Sequence, residues 1–528
     1  MAGKVWLVGA GPSEAEFLTL RAKKLIERAD AVVYDALIGQ SVVDIIPETA
    51  EKIYVGKRAG HHSMPQEEIN RLLLSLAGQG KRTVRLKGGD PFLFGRGGEE
   101  LELLREHRIP FEVVPGVTSA TAVPACFGIP VTHRGLASSV HIITGHQREG
   151  EPLRINYRAL AEAGGTLLFL MGTSHLHDIV SGLLEAGMDS EMPAAILQRG
   201  AGGGQKKVSG TLDTLEREAG RREILTPAII VVGKVVSLGE KFAWYERLPL
   251  FGRKYIVTRP KERIGELADR LRELGAEVTR LPAIATEGIH PNGALRAELA
   301  RLGDYRFLVF TSPAGVAEFM EELFDAGKDV RYLSRVFVAA IGSGTAGALR
   351  RYGIRADLVP EVYSGKALGA LLSENCEAGD GVLLARSDIG NPELAAELRR
   401  KEIAVADIPV YITQIAKRKS ARPDSLMDVD GVFFTSASTV RGFAAGFPGR
   451  DFSEVQAFCI GEMTAGEAEK YGMKAHVAKQ ATVEGLVELA LAKQAAGEGT
   501  MEPADDGLDM SVCPPGSLPA EISDRDRR

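Results

Sequence analysis

Short apolar runs alternate with amphipathic stretches along most of the chain. Val5-Trp6-Leu7-Val8 reads as a buried strand, Gly9 to Glu16 as a loop, and Thr19 as the cap of a helix running through Arg28. Ala31 to Tyr34 is the next strand and ends at Asp35. The same grammar predicts strands at Lys52 to Val55, Thr83 to Leu86, Val140 to Thr144, Thr166 to Met171 and Ile229 to Val232. Strands separated by helical stretches make α/β domains with mostly parallel sheets.

The pattern breaks at Trp244 to Gly252, where Leu248-Pro249-Leu250-Phe251-Gly252 reads as a linker before a fresh strand, Lys254 to Thr258. Beyond it the chain repeats itself. Leu308-Val309-Phe310-Thr311-Ser312 returns as Val432-Phe433-Phe434-Thr435-Ser436, and Ala340-Ile341-Gly342 as Cys459-Ile460-Gly461. Tyr255-Ile256-Val257-Thr258-Arg259 is echoed by Val382-Leu383-Leu384-Ala385-Arg386, each followed by a helix and a strand ending near Pro282 or Pro409. Offsets of about 120 residues suit one α/β lobe each, so the second half is two related lobes with a cleft between them. From about Gly497 to Arg528, Pro, Gly and acidic residues without apolar periodicity read as a disordered tail.

Composition narrows the class. The 528 residues are 45% hydrophobic and 25% charged, enough apolar material for three or four domains at about 150 residues each. A formal charge of −6 argues against bulk nucleic-acid binding, and no run approaches the ~20 apolar residues of a membrane span. The apolar start turns at once into Gly9-Ala10-Gly11-Pro12, a strand entering a loop and not a signal peptide. Four scattered cysteines without a CxxC speak against disulfides or structural zinc, which fits a reducing cytoplasm. His61-His62, His141/His146 and His175/His177 lack partners at ligand spacing, so no metal site is expected.

Candidate chemistry gathers at strand ends. Gly9-Ala10-Gly11-Pro12 departs from a dinucleotide fingerprint at Pro12 and Glu14 and reads as a tight turn or a ligand loop. Lys87-Gly88-Gly89-Asp90-Pro91 follows the strand Thr83 to Leu86, and its two glycines let a flat ligand approach backbone amides while Asp90 offers an acceptor. Thr118 and Ser119 enter a helix and either cap it or touch a ligand. Asp35 and Lys57 lie just past strand ends, as a proton acceptor and donor or as solvated loop charges. In the second half Thr311-Ser312 and Thr435-Ser436 end strands, while Ser343-Gly344-Thr345 and Glu462-Met463-Thr464 open helices whose amides suit anions. Tyr411, on the strand expected to lead back between lobes, is a core residue or a phenol reaching the cleft.

These residues carry a resemblance. Val8-Gly-Ala-Gly-Pro12, Tyr34-Asp-Ala-Leu37, Gly56-Lys-Arg58, His61-His-Ser63, Pro65-Gln-Glu-Glu-Ile-Asn70, Val84 to Phe92, Pro115 to Ser119 and Gly128 to Arg134 occur in the order found in uroporphyrinogen-III C-methyltransferases, of the tetrapyrrole methylase family. The resemblance covers about the first 245 residues and implies two α/β subdomains with S-adenosylmethionine (SAM) between them. It assigns Pro12, Gly88, Gly89, Asp90, Leu93, Thr118, Ser119, Met171 and Gly200 to the donor, and Asp35 and Lys57 to proton transfer. Arg58, Arg96 and Arg134 are candidates for the substrate's carboxylates by loop position. Ser13-Glu14 replaces the family's usual Gly-Asp, and Gly200-Ala201 before a glycine run replaces Gly-Thr.

The second half resembles uroporphyrinogen-III synthase through Thr258-Arg-Pro260, Phe310-Thr-Ser312, Ile341-Gly342, Val410-Tyr-Ile-Thr413, Phe434-Thr-Ser436, Ile460 to Ala465 and Thr482 to Leu486. That resemblance implies cofactor-free closure of hydroxymethylbilane with inversion of its last ring. It gives Tyr411 a part in loss of the terminal hydroxyl and Thr311, Ser312, Thr435, Ser436 and Thr464 contact with substrate; Arg259 and Lys366 are candidates for the substrate's carboxylates. It also implies one lobe from 252–286 plus 414–496 and the other from 287–413. The expectation is a bifunctional cytoplasmic enzyme: a methyltransferase over 1–247, a synthase over 252–496 and a tail over 497–528. Its partners would be tetrapyrroles, with no nucleic acid or membrane, and a homodimer would form through the methyltransferase half. The alternatives are a methylase for a later precorrin, or a second half that binds a tetrapyrrole without turning it over.

Overall fold

Apolar residues at alternating strand positions decide how the first sheet is covered. Val5 and Leu7 enter one core with Ala31 and Val33, while Val8 enters another with Val32, Val84 and Leu86. Both faces are therefore buried under helices, the usual state of an all-parallel sheet. In this computed structural model, which describes residues 3–56, 64–146, 154–200, 202–222, 224–259, 264–390, 392–416 and 429–497, that sheet comprises β1 (Lys4–Gly9), β2 (Ala31–Tyr34), β3 (Glu51–Tyr54), β4 (Arg82–Lys87) and β5 (Phe111–Val114). Its order is β3-β2-β4-β1-β5, which places β4 and β1 at the centre.

The second sheet departs from the expected parallel pattern. It holds β6 (Val140–Thr144), β7 (Thr166–Leu170), β8 (Pro193–Gln198), β9 (Lys206–Thr211) and β10 (Ala228–Val232) in the order β6-β7-β10-β8-β9. Only β6 and β7 pair in parallel; the other three pairings are antiparallel. The cause is local. The glycine-rich segment joining β8 to β9 is too short for a crossover helix, so the two form a hairpin.

The second half contains β11 (Lys254–Val257) and β12 (Glu277–Arg280), then β13 (Ile284–Gly288), β14 (Phe307–Phe310), β15 (Phe337–Ala340), β16 (Gly381–Ser387) and β17 (Ala404–Ile415), and finally β18 (Gly431–Phe434), β19 (Gln456–Cys459) and β20 (Lys474–Val477). One sheet has the order β12-β11-β18-β19-β20 and the other β13-β17-β16-β14-β15. The repeated segments occupy equivalent places: β11 lies beside β18 in one sheet, as β16 lies beside β14 in the other. The β13–β17 pair is antiparallel and links the lobes, with Ala416 N donating to Ala283 O where the two strands pass from one lobe to the other.

The tail from residue 498, and Lys57, Arg58, His61 and His62, lie outside the described residues. No helix among the described residues is long and apolar enough to cross a membrane.

Candidate functional sites

At the carboxyl edge of the first sheet, three strand ends meet without side chains. A Cβ on Gly9 would lie 2.5 Å from Gly116 Cα and 2.6 Å from Gly89 O, and one on Gly116 would lie 2.2 Å from Gly89 O. Gly11 and Gly89, both at positive φ, exchange backbone hydrogen bonds of 3.2 and 2.9 Å. The result is a backbone cradle in which Gly9 and Gly116 have no room for a Cβ, while the Cβ side of Gly89 is open, with Ser119 N the nearest atom at 3.8 Å. Asp90 belongs to its frame: one carboxylate oxygen accepts from Gly116 N at 3.1 Å and the other from Phe92 N at 2.9 Å. Pro12 is buried beside it and Gly88 rests against Leu37.

The remaining positions expected to meet the donor tie this edge to the second sheet. Leu93 packs into the core that holds Ala120, Val123 and Leu170. Thr118 caps the helix Ser119–Cys126 through its hydroxyl, which accepts from Ala120 N, and Gly200 sits where a Cβ would strike Val123 on that helix. Met171 follows β7 at positive φ and is half exposed.

Next to the cradle is a buried charge network that the sequence reading missed. Glu100 is fully buried, and its Oε1 accepts from Lys87 Nζ at 2.9 Å, Arg85 Nε at 3.2 Å and Gln66 Nε2 at 3.1 Å, while Oε2 has no hydrogen-bond partner among the described residues. Arg85 also reaches Asp35 Oδ2 at 3.4 Å, and Leu37 N donates to Asp35 Oδ1 at 3.1 Å. Burial holds the Lys87 ammonium below the ordinary lysine range, with repulsion from Arg85 in the same sense. The signal was legible: Arg85 and Lys87 stand two apart on a central strand, so they leave on one face and require an acid there.

The arginines picked by loop position fare unequally. Arg96, at φ 57° where the helix Gly97–Glu106 begins, is paired through two nitrogens with Glu99. Arg134 is exposed in the turn that His133 closes with Ala137. The histidines serve local pairs, His175 with Asp178 and His177 with Glu216. Among the described residues the grouping of metal-ligand type is His290, Glu318 and Glu321, in which His290 bonds Glu318 and also the buried Glu322, an ion-pair clasp.

In the second half Ser312 and Ser436 cap the helices Pro313–Asp325 and Ala437–Ala445 from equivalent strand ends. Thr311 and Thr435 precede them, half-buried, and Thr464 is buried in the first turn of Glu462–Lys470. Tyr411 has its ring buried in the lobe core and its hydroxyl 2.9 Å from Ser312 Oγ at the sheet's carboxyl edge.

The halves meet around a cavity of about 900 Å³. Of the nine donor positions only Gly200 lines it, so it lies beside the cradle rather than within it; Val117, Tyr245, Arg272 and Glu277 form other walls. Ser13 and Glu14 of the first departure from the family pattern face it, as do Gly200 and Gly202 to Gly204 around the second, whose Ala201 lies outside the described residues. Glu14 bonds Ser41 and approaches Arg272 at 4.0 Å, and a Cβ on Gly203 would sit 2.3 Å from Glu277 N. Burial and nearby Cys126, Glu14 and Glu16 push the Tyr245 phenol to about 12. Because backbone opposes residue 203, Gly203→Ala is expected to weaken this docking by about 1–3 kcal/mol. Calorimetric unfolding checks this, as a lower or split transition with each activity retained.

Two families match this chain. The model of tetrapyrrole (corrin/porphyrin) methylases covers residues 4–216, and that of uroporphyrinogen-III synthase HemD covers 265–488. The porphyrin biosynthesis protein HemD of Ruminiclostridium josui is 44% identical over 489 residues, 92% of this chain and 97% of that relative. The chain therefore belongs to the tetrapyrrole methylases in its first half and to the uroporphyrinogen-III synthases in its second. It is a bifunctional enzyme of tetrapyrrole biosynthesis, methyltransferase and synthase in one polypeptide. The siroheme synthase of Ectopseudomonas mendocina is 47% identical over 244 residues, 46% of this chain and about half, 53%, of that relative. A solved structure, uroporphyrin-III C-methyl transferase of Thermus thermophilus complexed with S-adenyl homocysteine, is 40% identical and covers 45% of this chain and 100% of its own, with a TM-score of 0.39.

Proposed function

We propose that residues 252–496 close hydroxymethylbilane to uroporphyrinogen III with inversion of ring D, and that residues 1–247 then methylate that product twice from SAM to give precorrin-2. The observation that carries this reading is the side-chain-free strand edge of Gly9, Gly89 and Gly116: Gly9 and Gly116 close the backbone packing, and Gly89, whose Cβ position has only Ser119 N within 4 Å, at 3.8 Å, leaves an approach to backbone that suits a flat adenosyl donor. SAM supplies an electrophilic methyl group when bound. Pro12, Gly88, Gly89, Asp90, Leu93, Thr118, Ser119, Met171 and Gly200 hold the donor in this reading. Asp35 takes the proton released when the electron-rich pyrrole carbon is methylated, and Arg85 orients its carboxylate. Lys57 is the proton donor. Aligning donor and carbon away from water supplies much of the acceleration.

In the synthase half, Tyr411 assists departure of the terminal hydroxyl, with Ser312 fixing its phenol. Tyr411→Phe is expected to slow closure by about 10²-fold or more and leave methyl transfer unchanged. Product-isomer analysis checks this, since spontaneous closure gives the symmetric isomer. The test of the whole reading is methyl transfer to uroporphyrinogen III. An enzyme for a later precorrin would leave that substrate untouched, and a non-catalytic second half would leave hydroxymethylbilane to close spontaneously.

A further inference from the structure

The duplication places two arginines at equivalent points of the two lobes, and their surroundings differ. Arg386 stands one residue past the Phe310–Ala385 pair, level with Thr311. Its guanidinium is bound through two nitrogens to Asp407, which lies opposite Leu384 on the neighbouring β17. Arg259 stands two residues past the Val257–Phe433 pair, level with Thr435. In lobe one the position that corresponds to Asp407 lies opposite Val257 on β12, and it is Arg280. The acid of one lobe is a base in the other.

Arg259 is consequently left with a long ion pair to an exposed acid in place of a two-point bond to a neighbouring strand. Its side chain is 16% exposed, Nη1 is buried with no hydrogen-bond partner among the described residues, and the nearest carboxylate, on the exposed Glu266, is 3.7 Å away. Arg280 does not share an acid with it, being directed to Asp269 and, at 3.7 Å, to Asp44 of the methyltransferase half. A largely buried guanidinium whose one ion pair among the described residues is long and whose Nη1 donates no hydrogen bond there is under-satisfied, and a ligand carboxylate would complete it.

We infer that Arg259 is a carboxylate anchor of the synthase cleft, binding an acetate or propionate arm of the tetrapyrrole beside the hydroxyls of Thr435 and Ser436, whereas Asp407 has closed the equivalent site at Arg386. The cleft is thus electrostatically one-sided. A substrate with carboxylate arms is gripped by lobe one, and lobe two supplies Tyr411 and Ser312 to the reacting end. A planar guanidinium suits a two-point grip on a carboxylate, which an ammonium cannot reproduce.

The inference rests on the synthase reading and separates from it in the test. Arg259→Leu, Arg259→Lys and Arg386→Leu in the full chain would be compared for closure kinetics, thermal unfolding and binding of uroporphyrin III by fluorescence quenching. Arg259→Leu is expected to raise KM for hydroxymethylbilane and the Kd for uroporphyrin III at least tenfold, with kcat within a few-fold. Its melting temperature should be unchanged or higher, since an under-satisfied charge is removed. Arg259→Lys should recover part of the affinity. Arg386→Leu should lower the melting temperature, because Asp407 is then unpaired. Unchanged KM and Kd in Arg259→Leu would overturn the inference, as would a lower melting temperature with affinity intact. If the wild type bound uroporphyrin III through Arg259 yet closed no hydroxymethylbilane, the synthase reading would fall and the anchor would stand.

Discussion

Asp35→Ala is expected to lower methyl transfer by roughly 10²–10⁴-fold and to leave ring closure at the wild-type rate. The magnitude is that of a positioned proton acceptor, and the selectivity follows from position. Asp35 stands past the end of β2 beside the glycine cradle, with Arg85 and Leu37 N fixing its carboxylate, while closure takes place on lobes built from other strands. Arg85 keeps Glu100 when Asp35 is lost, so the fold is expected to tolerate the change. Single-turnover methylation of uroporphyrinogen III, run beside a closure assay on the same preparation, measures both effects. An equal fall in the two activities would show that the sites are not independent.

The largest stability effect is expected at Glu100. Its replacement by Ala leaves Lys87 without its bonded anion and Arg85 with only the 3.4 Å contact to Asp35, and breaking a buried pair in this way costs about 3–5 kcal/mol. For a unit of this size that is a fall of roughly 2–4 °C in melting temperature per kcal/mol. The pH dependence gives a second readout. Lys87 already binds its proton less tightly in the folded chain than in the unfolded one. The unfolded state therefore carries more protons between the lowered folded value and the ordinary lysine value, and stability rises with pH through that window. Without Glu100 the folded-state value drops further, so the deficit of Glu100→Ala should shrink as the pH is raised toward the ordinary lysine range. Thermal unfolding across alkaline pH tests this. A variant as stable as the wild type at neutral pH would show that Glu100 is not the counter-ion of the network.

Legibility in the sequence follows how local each signal is. Val5-Trp6-Leu7-Val8 was readable because a strand covered on both faces must be apolar nearly throughout. The duplication was readable as matched strings, and β11, β14, β16 and β18 hold matching sheet positions. The hairpin of β8 and β9 was missed because a glycine run looks alike in a hairpin and in a ligand loop. The Asp407–Arg280 reversal was equally invisible, since it has meaning only once register places each residue opposite a partner strand. Ser312 shows both levels at once. Its capping role is visible in the Phe-Thr-Ser motif, whereas its contact with Tyr411, 99 residues away, depends on the path of β17 through the lobe.

The most direct measurement is a one-pot reaction of the purified full chain with hydroxymethylbilane and SAM, followed by absorbance and by separation of the product isomers. The account predicts uroporphyrinogen III as a transient and a dimethylated precorrin-2 chromophore as the end point. Consumption of hydroxymethylbilane only at its spontaneous rate, to the symmetric isomer with no methyl transferred, would contradict it.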